Sequence, residues 1–125
     1  MSTQIRVRRA YDAPGMDDGT RVLVDRLWPR GLARVQARLD VWLKEIAPSD
    51  GLRRWFGHEP GRWMEFSLRY RAELEANTAP LADLLRLCRA GPVTLLFAAH
   101  DTEHNNAVVL RDVLREHIKA GRSRA

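Results

Sequence analysis

A concentrated set of groups that could bind or transform a small molecule lies in the ten residues 22–31 (VLVDRLWPRG). Asp25, Arg26, Trp28 and Arg30 follow directly after an apolar run that is typical of a short buried strand. Arginine side chains form paired hydrogen bonds with phosphate or carboxylate groups. These residues therefore predict one wall of an anion-binding site. The alternative interpretation is a loop of paired surface charges, with Trp28 packed into the core.

A second polar segment follows the most apolar stretch of the chain. His100 comes first, Asp101 and Thr102 follow, and His104 and Asn105 stand where a last helix is predicted to begin. A histidine beside a carboxylate can act as a general acid or base near neutral pH. We expect Asp101 or Thr102 to cap the helix, whose free backbone N–H groups favour an anion. The alternative is that Asp101 only caps the helix and the asparagines only satisfy loop backbone.

The two segments together define the candidate site. We expect Asp25, His100 and His104 to carry any catalysis. The expected ligand-binding residues are Arg26, Arg30, Trp28, Asp101, Asn105 and Tyr11. His100 and His104 are four positions apart, but they are not expected to share one helix with a third ligand, so no metal site is predicted. The identity of any cofactor is not indicated by these residues.

Three strands are predicted from the distribution of apolar residues. In the first strand, Ile5 and Val7 alternate with arginines. The second strand covers residues 21–25, and the third is the apolar run 93–99, which is typical of a strand covered on both faces. The turn-forming residues 12–19 separate the first two strands. A loop of this length is short for a parallel crossover, so parallel and antiparallel orientations both remain open.

The remaining chain is predicted to be largely helical. Residues 39–46 fit both helical spacing and strand alternation, and we favour a helix there. Further helices are expected from the cap at Ser49 to Gly57, from Pro60 onward, from Pro80 to Gly91, and after the second polar segment. The apolar stripes of the two middle helices are Trp63, Phe66, Tyr70 and Leu74, and Leu81, Leu84, Leu85 and Cys88.

This pattern indicates an α/β fold, with a small central, mostly parallel sheet flanked by helices. The 125 residues are enough for a single compact domain over residues 1–125, with a frayed tail at about 120–125. Cys88 cannot form an internal disulfide, and we interpret it as a core residue. The sequence contains no apolar run that could cross a bilayer and no signal peptide, so a cytoplasmic protein without membrane association is expected.

The net charge of +5 comes almost entirely from arginine, because Lys44 and Lys119 are the only lysines. Arginines are also interspersed with aromatic residues at 53–56 and 69–71, a pattern found on nucleic-acid-binding surfaces. One alternative is therefore a non-enzymatic basic module that binds nucleic acid or a protein partner. An exposed continuous stripe of arginines would favour that alternative, whereas arginines gathered in a crevice would favour a small ligand.

Several motifs resemble the YeaO-like branch of the domain-of-unknown-function family 488, over nearly the whole chain. The motifs are residues 22–31 (VLVDRLWPRG), 42–49 (WLKEIAPS), 52–58 (LRRWFGH), Arg62-Trp63 with Phe66, and 103–110 (EHNNAVVL). The resemblance implies a bacterial, compact α/β domain, and it implies no reaction.

The resemblance also identifies departures from the wider family. That family tends to carry Asp-Val-Arg after its second strand and Cys-His-Arg at the start of its last helix. Asp25-Arg26 and His104 look like the counterparts, whereas Glu103 stands in place of the cysteine and Asn105 in place of the arginine. A mechanism that uses that cysteine would not transfer. The wider family also tends to place a helix between its first two strands, where this chain has only a short loop.

The function that these residues favour is a pocket for a small anionic ligand, similar to a phosphate or a nucleotide, in either an enzyme or a binding protein. The hypothesis requires the second and third predicted strands to be adjacent and parallel, so that Asp25 and Arg26 meet His100 and Asp101 at one edge of the sheet. The residues indicate no oligomeric state.

Overall fold

A parallel four-stranded sheet forms the centre of the molecule. The computed structural model describes residues 4–123. Its strands are β1 (Ile5–Arg9), β2 (Thr20–Leu23), β3 (Val41–Trp42) and β4 (Val93–Phe97). Its helices are α1 (Arg34–Ala37), α2 (Asp50–Phe56), α3 (Trp63–Ala76), α4 (Thr78–Ala90) and α5 (Asn106–Ser123), with short 3-10 helices at Lys44–Ile46 and Pro60–Arg62. None of the described helices is both long and apolar enough to span a membrane. Residues 124 and 125, the end of the expected frayed tail, lie outside the described residues.

Strand β4 lies between β1 and β2, in the strand order β1-β4-β2-β3. It pairs in parallel with both neighbours, and all five of its residues are buried. The predicted apolar strand covered on both faces is thereby confirmed. Because β1 and β2 flank β4 and both run parallel to it, they also run parallel to each other.

The connection from β1 to β2 makes a parallel crossover without a helix. Ten extended residues can span about 33 Å, which exceeds the roughly 17 Å length of a five-residue strand. The returning loop is anchored on β4, because Thr94 Oγ1 donates a hydrogen bond to the Asp18 carbonyl at 2.7 Å. Asp18 is buried, and its carboxylate pairs with Arg8 and with the buried Arg21. The hydrogen bonds from Gly15, Arg21 and Arg8 outweigh the effect of burial and lower the pKa of Asp18.

The predicted helix over residues 39–46 is wrong. This segment forms β3 and then the 3-10 helix Lys44–Ile46. The backbone N–H of Leu43 donates to the Leu23 carbonyl at 2.9 Å, and Trp42 Nε1 donates to the Asp25 carbonyl at 2.8 Å. Pairing with the edge of β2 therefore outweighs the helical spacing of the apolar residues. The short helix α1 was not predicted.

The sequence pattern also predicts α2, α3 and α4, although α4 begins at Thr78 and not at the expected Pro80. Ser49 caps α2, because its Oγ accepts a hydrogen bond from the Leu52 N–H at 3.2 Å, and Gly57 ends the helix with a φ of 52°. Pro60 opens a 3-10 turn that leads into α3. The predicted apolar stripes are buried except for the half-buried Trp63.

The two faces of the sheet are covered differently. Successive strand residues point to opposite faces, so Val22 and Val24 join the large core under α2–α5, whereas Leu23 joins a smaller cluster. That smaller cluster is closed by Trp28 and Trp42, whose rings meet edge to face at 5.3 Å. The segment after β2 therefore contributes Val24 and Trp28 to the core as well as residues of the candidate site.

Candidate ligand-binding site

The carboxyl ends of β2 and β4 are adjacent, and Asp25 joins the loops that follow them. The Asp25 carboxylate accepts a hydrogen bond from the Ala98 N–H at 2.9 Å and another from Asn106 Nδ2 at 3.1 Å. The same Asn106 amide nitrogen donates to the Val24 carbonyl at 3.0 Å. The start of α5 is thus tied to the end of β2.

A cavity of about 810 Å³ opens at this edge of the sheet. Eight of the nine predicted site residues line it: Tyr11, Asp25, Arg26, Trp28, Arg30, His100, Asp101 and Asn105. Of the described residues with a predicted site role, His104 alone is not part of the lining.

Four further polar residues line the cavity that were not predicted as site residues: Asn106, at the start of α5, and Arg53, Arg54 and His58. The last three come from α2 and the turn after it, and the sequence pattern of the two arginines indicates only a nucleic-acid-binding surface. The closeness of Arg53 and Arg54 to His58 in the sequence is the signal that could have indicated a binding role for these residues. Only the packing of α2 over the sheet edge places it beside residues 25–30.

Arg26 has an unusual environment. Its Nε atom is buried and has no hydrogen-bond partner among the described residues. The carboxylate of Asp50 is 3.8 Å from this atom, which is beyond hydrogen-bond distance. A buried donor without a partner costs about 1–3 kcal/mol. Arg26 lines the cavity, so its guanidinium brings there a donor that the described residues do not satisfy with a hydrogen bond.

Asp25 is half-buried, and burial raises the pKa of its carboxyl. The hydrogen bonds from Ala98 and Asn106 and the nearby charge of His58 oppose this rise without cancelling it. The carboxylate is therefore fixed in position by two donors in a poorly solvated place. Such a group can accept a hydrogen bond from a bound molecule or take up a proton.

The loops after β1 and β2 are fastened together at the cavity. Tyr11 Oη donates a hydrogen bond to the Arg30 carbonyl at 2.8 Å. Trp28 Nε1 donates to the Leu32 carbonyl at 2.7 Å, and the Arg34 guanidinium lies 4.7 Å from the centre of the Trp28 ring. Trp28 is held by packing and hydrogen bonding, and it also lines the cavity.

The expected cap of the last helix is wrong, because neither Asp101 nor Thr102 caps it. Asn105 is the cap: its Oδ1 accepts a hydrogen bond from the Val108 N–H at 3.1 Å. Asp101 instead closes the preceding turn by accepting from the N–H groups of Glu103 and His104 at 2.9 and 3.0 Å. These bonds, together with the side chain of His104, lower the pKa of Asp101.

His104 consequently stands before the helix and away from the cavity lining. Its Nδ1 lies 2.9 Å from Asp101 Oδ2, and its ring meets the Trp63 ring edge to face at 5.1 Å. His104 thus contacts α3 through Trp63. His100 and His58 are the two histidines that line the cavity.

The described part of the chain contains no cluster of three or more His, Cys, Asp or Glu side chains that could hold a metal ion. The cavity lining includes four arginines, Arg26, Arg30, Arg53 and Arg54, but only two acids, Asp25 and Asp101. Apolar residues such as Phe56, Phe66 and Pro48 complete its wall. This arrangement suits a small molecule that combines negative charge with an apolar part.

Comparison with known proteins gives one family and several relatives. The DUF488-N3i family model, described as the inactive DUF488-N3 subclade, matches residues 4–125. The chain is 42% identical over 112 residues to Uncharacterized protein Rv3073c of Mycobacterium tuberculosis, which covers 90% of this chain and 94% of that protein. It is also 42% identical over 111 residues to Uncharacterized protein YeaO of Escherichia coli, covering 89% of this chain and 96% of that protein. No solved structure gives a significant match.

Proposed function

Because the chain belongs to the DUF488-N3i family, the inactive DUF488-N3 subclade, we propose that it binds a small anionic ligand rather than transforming one. The binding site is the cavity between the loops that follow β2 and β4. The ligand carries a phosphate or a similar anionic group.

The observation that carries this proposal is the buried Nε of Arg26, which has Asp50 at ion-pair distance but no hydrogen-bond partner among the described residues. An anionic oxygen placed beside it would satisfy the donor and gain a charge-assisted hydrogen bond. Arg30, Arg53 and Arg54 line the same cavity and would add to the attraction. The arginine fork matches phosphate geometry, which favours a phosphate-bearing ligand.

The catalytic part of the original hypothesis has less support. His104, the residue expected to act as acid or base, does not line the cavity in the part of the chain that the structure describes. Asp25 and His100 line it, and Asp25 is held by backbone and amide donors. Recognition of a ligand therefore fits these residues better than proton transfer by a paired histidine does.

The nucleic-acid alternative depends on free arginines along the surface. Those outside the cavity mostly have partners: Arg6 with the Asp17 carbonyl, Arg8 with Asp18, Arg9 with the Ala98 and Ala99 carbonyls, Arg69 with Glu65, and Arg71 with Glu116. The ion pairs of Arg8, Arg69 and Arg71 reduce the positive charge that these side chains can offer to a phosphate backbone. Within the cavity lining, Arg26 and Arg53 share the single carboxylate of Asp50. The cavity is the better-supported site.

Isothermal titration calorimetry with inorganic phosphate, pyrophosphate and adenosine 5′-monophosphate tests the proposal. The Arg26→Ala variant should bind about 10- to 100-fold more weakly, because it loses a hydrogen bond to a charged group. Arg86→Ala is the matched control, since Arg86 is an exposed residue of α4 that pairs with Asp83 at 3.2 Å. That variant should bind as the unaltered protein does.

Two outcomes would contradict the proposal. One is equal weakening in both variants, and the other is the absence of binding by all three probes at about millimolar concentration. Duplex DNA and single-stranded RNA are titrated in parallel. Sub-micromolar binding of either that persists at physiological salt would instead make nucleic acid the ligand.

A further inference from the structure

The carboxylate of Asp25 stands in a cavity whose other charged groups are mostly arginines. Yet no arginine, lysine or histidine of the described residues forms an ion pair with it. Its fixed partners are the Ala98 N–H and the Asn106 amide, one to each oxygen. A carboxylate offers about four acceptor positions. The described residues therefore fill only two of the acceptor positions of Asp25, which lines the cavity.

The orientation of this carboxylate is determined by Asn106. The amide nitrogen of Asn106 donates to the Val24 carbonyl as well as to Asp25, so the amide cannot turn its oxygen toward Asp25 without losing both bonds. Asp25 is thus an acceptor that is already in place before a ligand arrives. Preorganised acceptors of this kind contribute specificity because they require a donor opposite them.

An anionic group alone does not suit such a site. A phosphate placed against Asp25 would meet a like charge, whereas the same phosphate beside Arg26 would meet an opposite charge. The ligand must therefore direct its anionic group toward the arginines and a hydrogen-bond donor toward Asp25. An ammonium donor would be repelled by the four lining arginines, so the matching group is a neutral donor such as a hydroxyl.

We infer that the ligand is a hydroxylated phosphate ester whose phosphate lies with Arg26 and whose hydroxyl donates a hydrogen bond to Asp25. This inference rests on the proposed function, because it concerns the same cavity. It adds a requirement that simple anion binding does not make, which is discrimination between esters that carry the hydroxyl and esters that lack it.

The test compares glycerol 1-phosphate with n-propyl phosphate, which have the same anionic group and the same carbon chain but differ in their hydroxyls. Binding is measured by calorimetry with inorganic phosphate as the third probe. The glycerol ester should bind about tenfold more tightly than the propyl ester, the ratio expected from one hydrogen bond to a charged acceptor. Inorganic phosphate should bind more weakly to the Arg26→Ala variant than to the unaltered protein.

Asp25→Ala should reduce the ratio to about one while the binding of inorganic phosphate is kept or strengthened, because a negative charge has been removed from the cavity. Asp83→Ala is the control, since Asp83 is an exposed acid on α4 outside the cavity lining. The Asp83→Ala variant should discriminate between the two esters as strongly as the unaltered protein does. If Asp25→Ala does not fold, equal affinity of the unaltered protein for the two esters still overturns the inference.

The outcomes separate the two proposals. Phosphate binding that depends on Arg26, together with equal affinity for the two esters, overturns the hydroxyl inference and leaves anion binding in place. Absence of binding by all three probes overturns both. A ratio that persists in Asp25→Ala assigns the hydroxyl to another acceptor and contradicts the role of Asp25.

Discussion

Replacing Asn106 with alanine should destabilise the fold through two hydrogen bonds at once. Its amide nitrogen donates to the Val24 carbonyl at 3.0 Å and to the Asp25 carboxylate at 3.1 Å. A neutral hydrogen bond contributes about 0.5–1.5 kcal/mol to stability, and one to a charged group about 1.5–3 kcal/mol. Because Asp25 is only half-buried, we expect a loss toward the lower end of about 2–4 kcal/mol in the free energy of unfolding.

The loss should also depend on pH. Burial raises the folded-state pKa of Asp25, so the stability associated with this carboxyl is present at acid pH and is lost as pH rises through that pKa. Asn106 stabilises the ionised form, and its removal should raise the pKa of Asp25 further. Asn106→Ala should therefore cost more at neutral pH than at the lowest pH at which the protein remains folded.

Urea unfolding at the two pH values measures both effects, with an unchanged m-value as evidence that the transition is comparable. Asn77→Ala is the matched control, because Asn77 donates a single exposed hydrogen bond to the Glu45 carbonyl at 2.6 Å. That variant should lose less stability and show no such pH dependence. A cost below about 0.5 kcal/mol for Asn106→Ala, or an equal cost at both pH values, would refute the charge-assisted bond between Asn106 and Asp25.

Two further predictions concern the fold. Gly19 has a φ of 65°, and an added Cβ would lie 2.2 Å from the Pro92 carbonyl oxygen, so Gly19→Ala should lower the free energy of unfolding by more than about 2 kcal/mol. Gly31→Ala is the control, because Gly31 has a φ of 78° and no atom lies within 4 Å of an added Cβ. This variant should lose only about 1–2 kcal/mol in the free energy of unfolding. Equal losses for the two variants in urea unfolding would be evidence against a clash between the Cβ at position 19 and the Pro92 carbonyl. Burial raises the pKa of Cys88 to about 11, so the native protein should resist thiol reagents at neutral pH and react only after unfolding. Rapid modification of the folded protein would show that the thiol is accessible.

The sequence predicts the elements whose local pattern agrees with their tertiary role. Of the apolar run predicted as a strand over residues 93–99, residues 93–97 form the central strand, and Ser49 and Gly57 bound α2 as expected. Residues 39–46 were misassigned because β3 is only two residues long and is stabilised by pairing with β2 and by the Trp42 side chain. Such a strand has no local signal that could outweigh helical spacing.

In the candidate site as well, some residues could be placed from the sequence and others could not. Residues next to a strand end could be placed from the sequence, because a parallel sheet puts its carboxyl ends at one edge. The position of His104 depended on which side chain caps α5, and both Asp101 and Asn105 are residues that favour such caps. Arg53 and Arg54 reach the cavity only through the packing of α2, which no spacing in the sequence specifies.

The position of the cavity follows from the order of the strands. The segment after β4 leads into α5, which packs on β1 and β4, whereas the segment after β2 leads to β3 on the opposite side. The two connections therefore leave the β2–β4 pair in opposite directions, and this divergence opens a crevice in α/β sheets. Asp25 bridges the bottom of that crevice, and Arg26 is the next residue along the chain. The strand order thus accounts for the position of the crevice, and the Nε of Arg26, which lacks a hydrogen-bond partner among the described residues, is the reason that we propose an anion as its ligand.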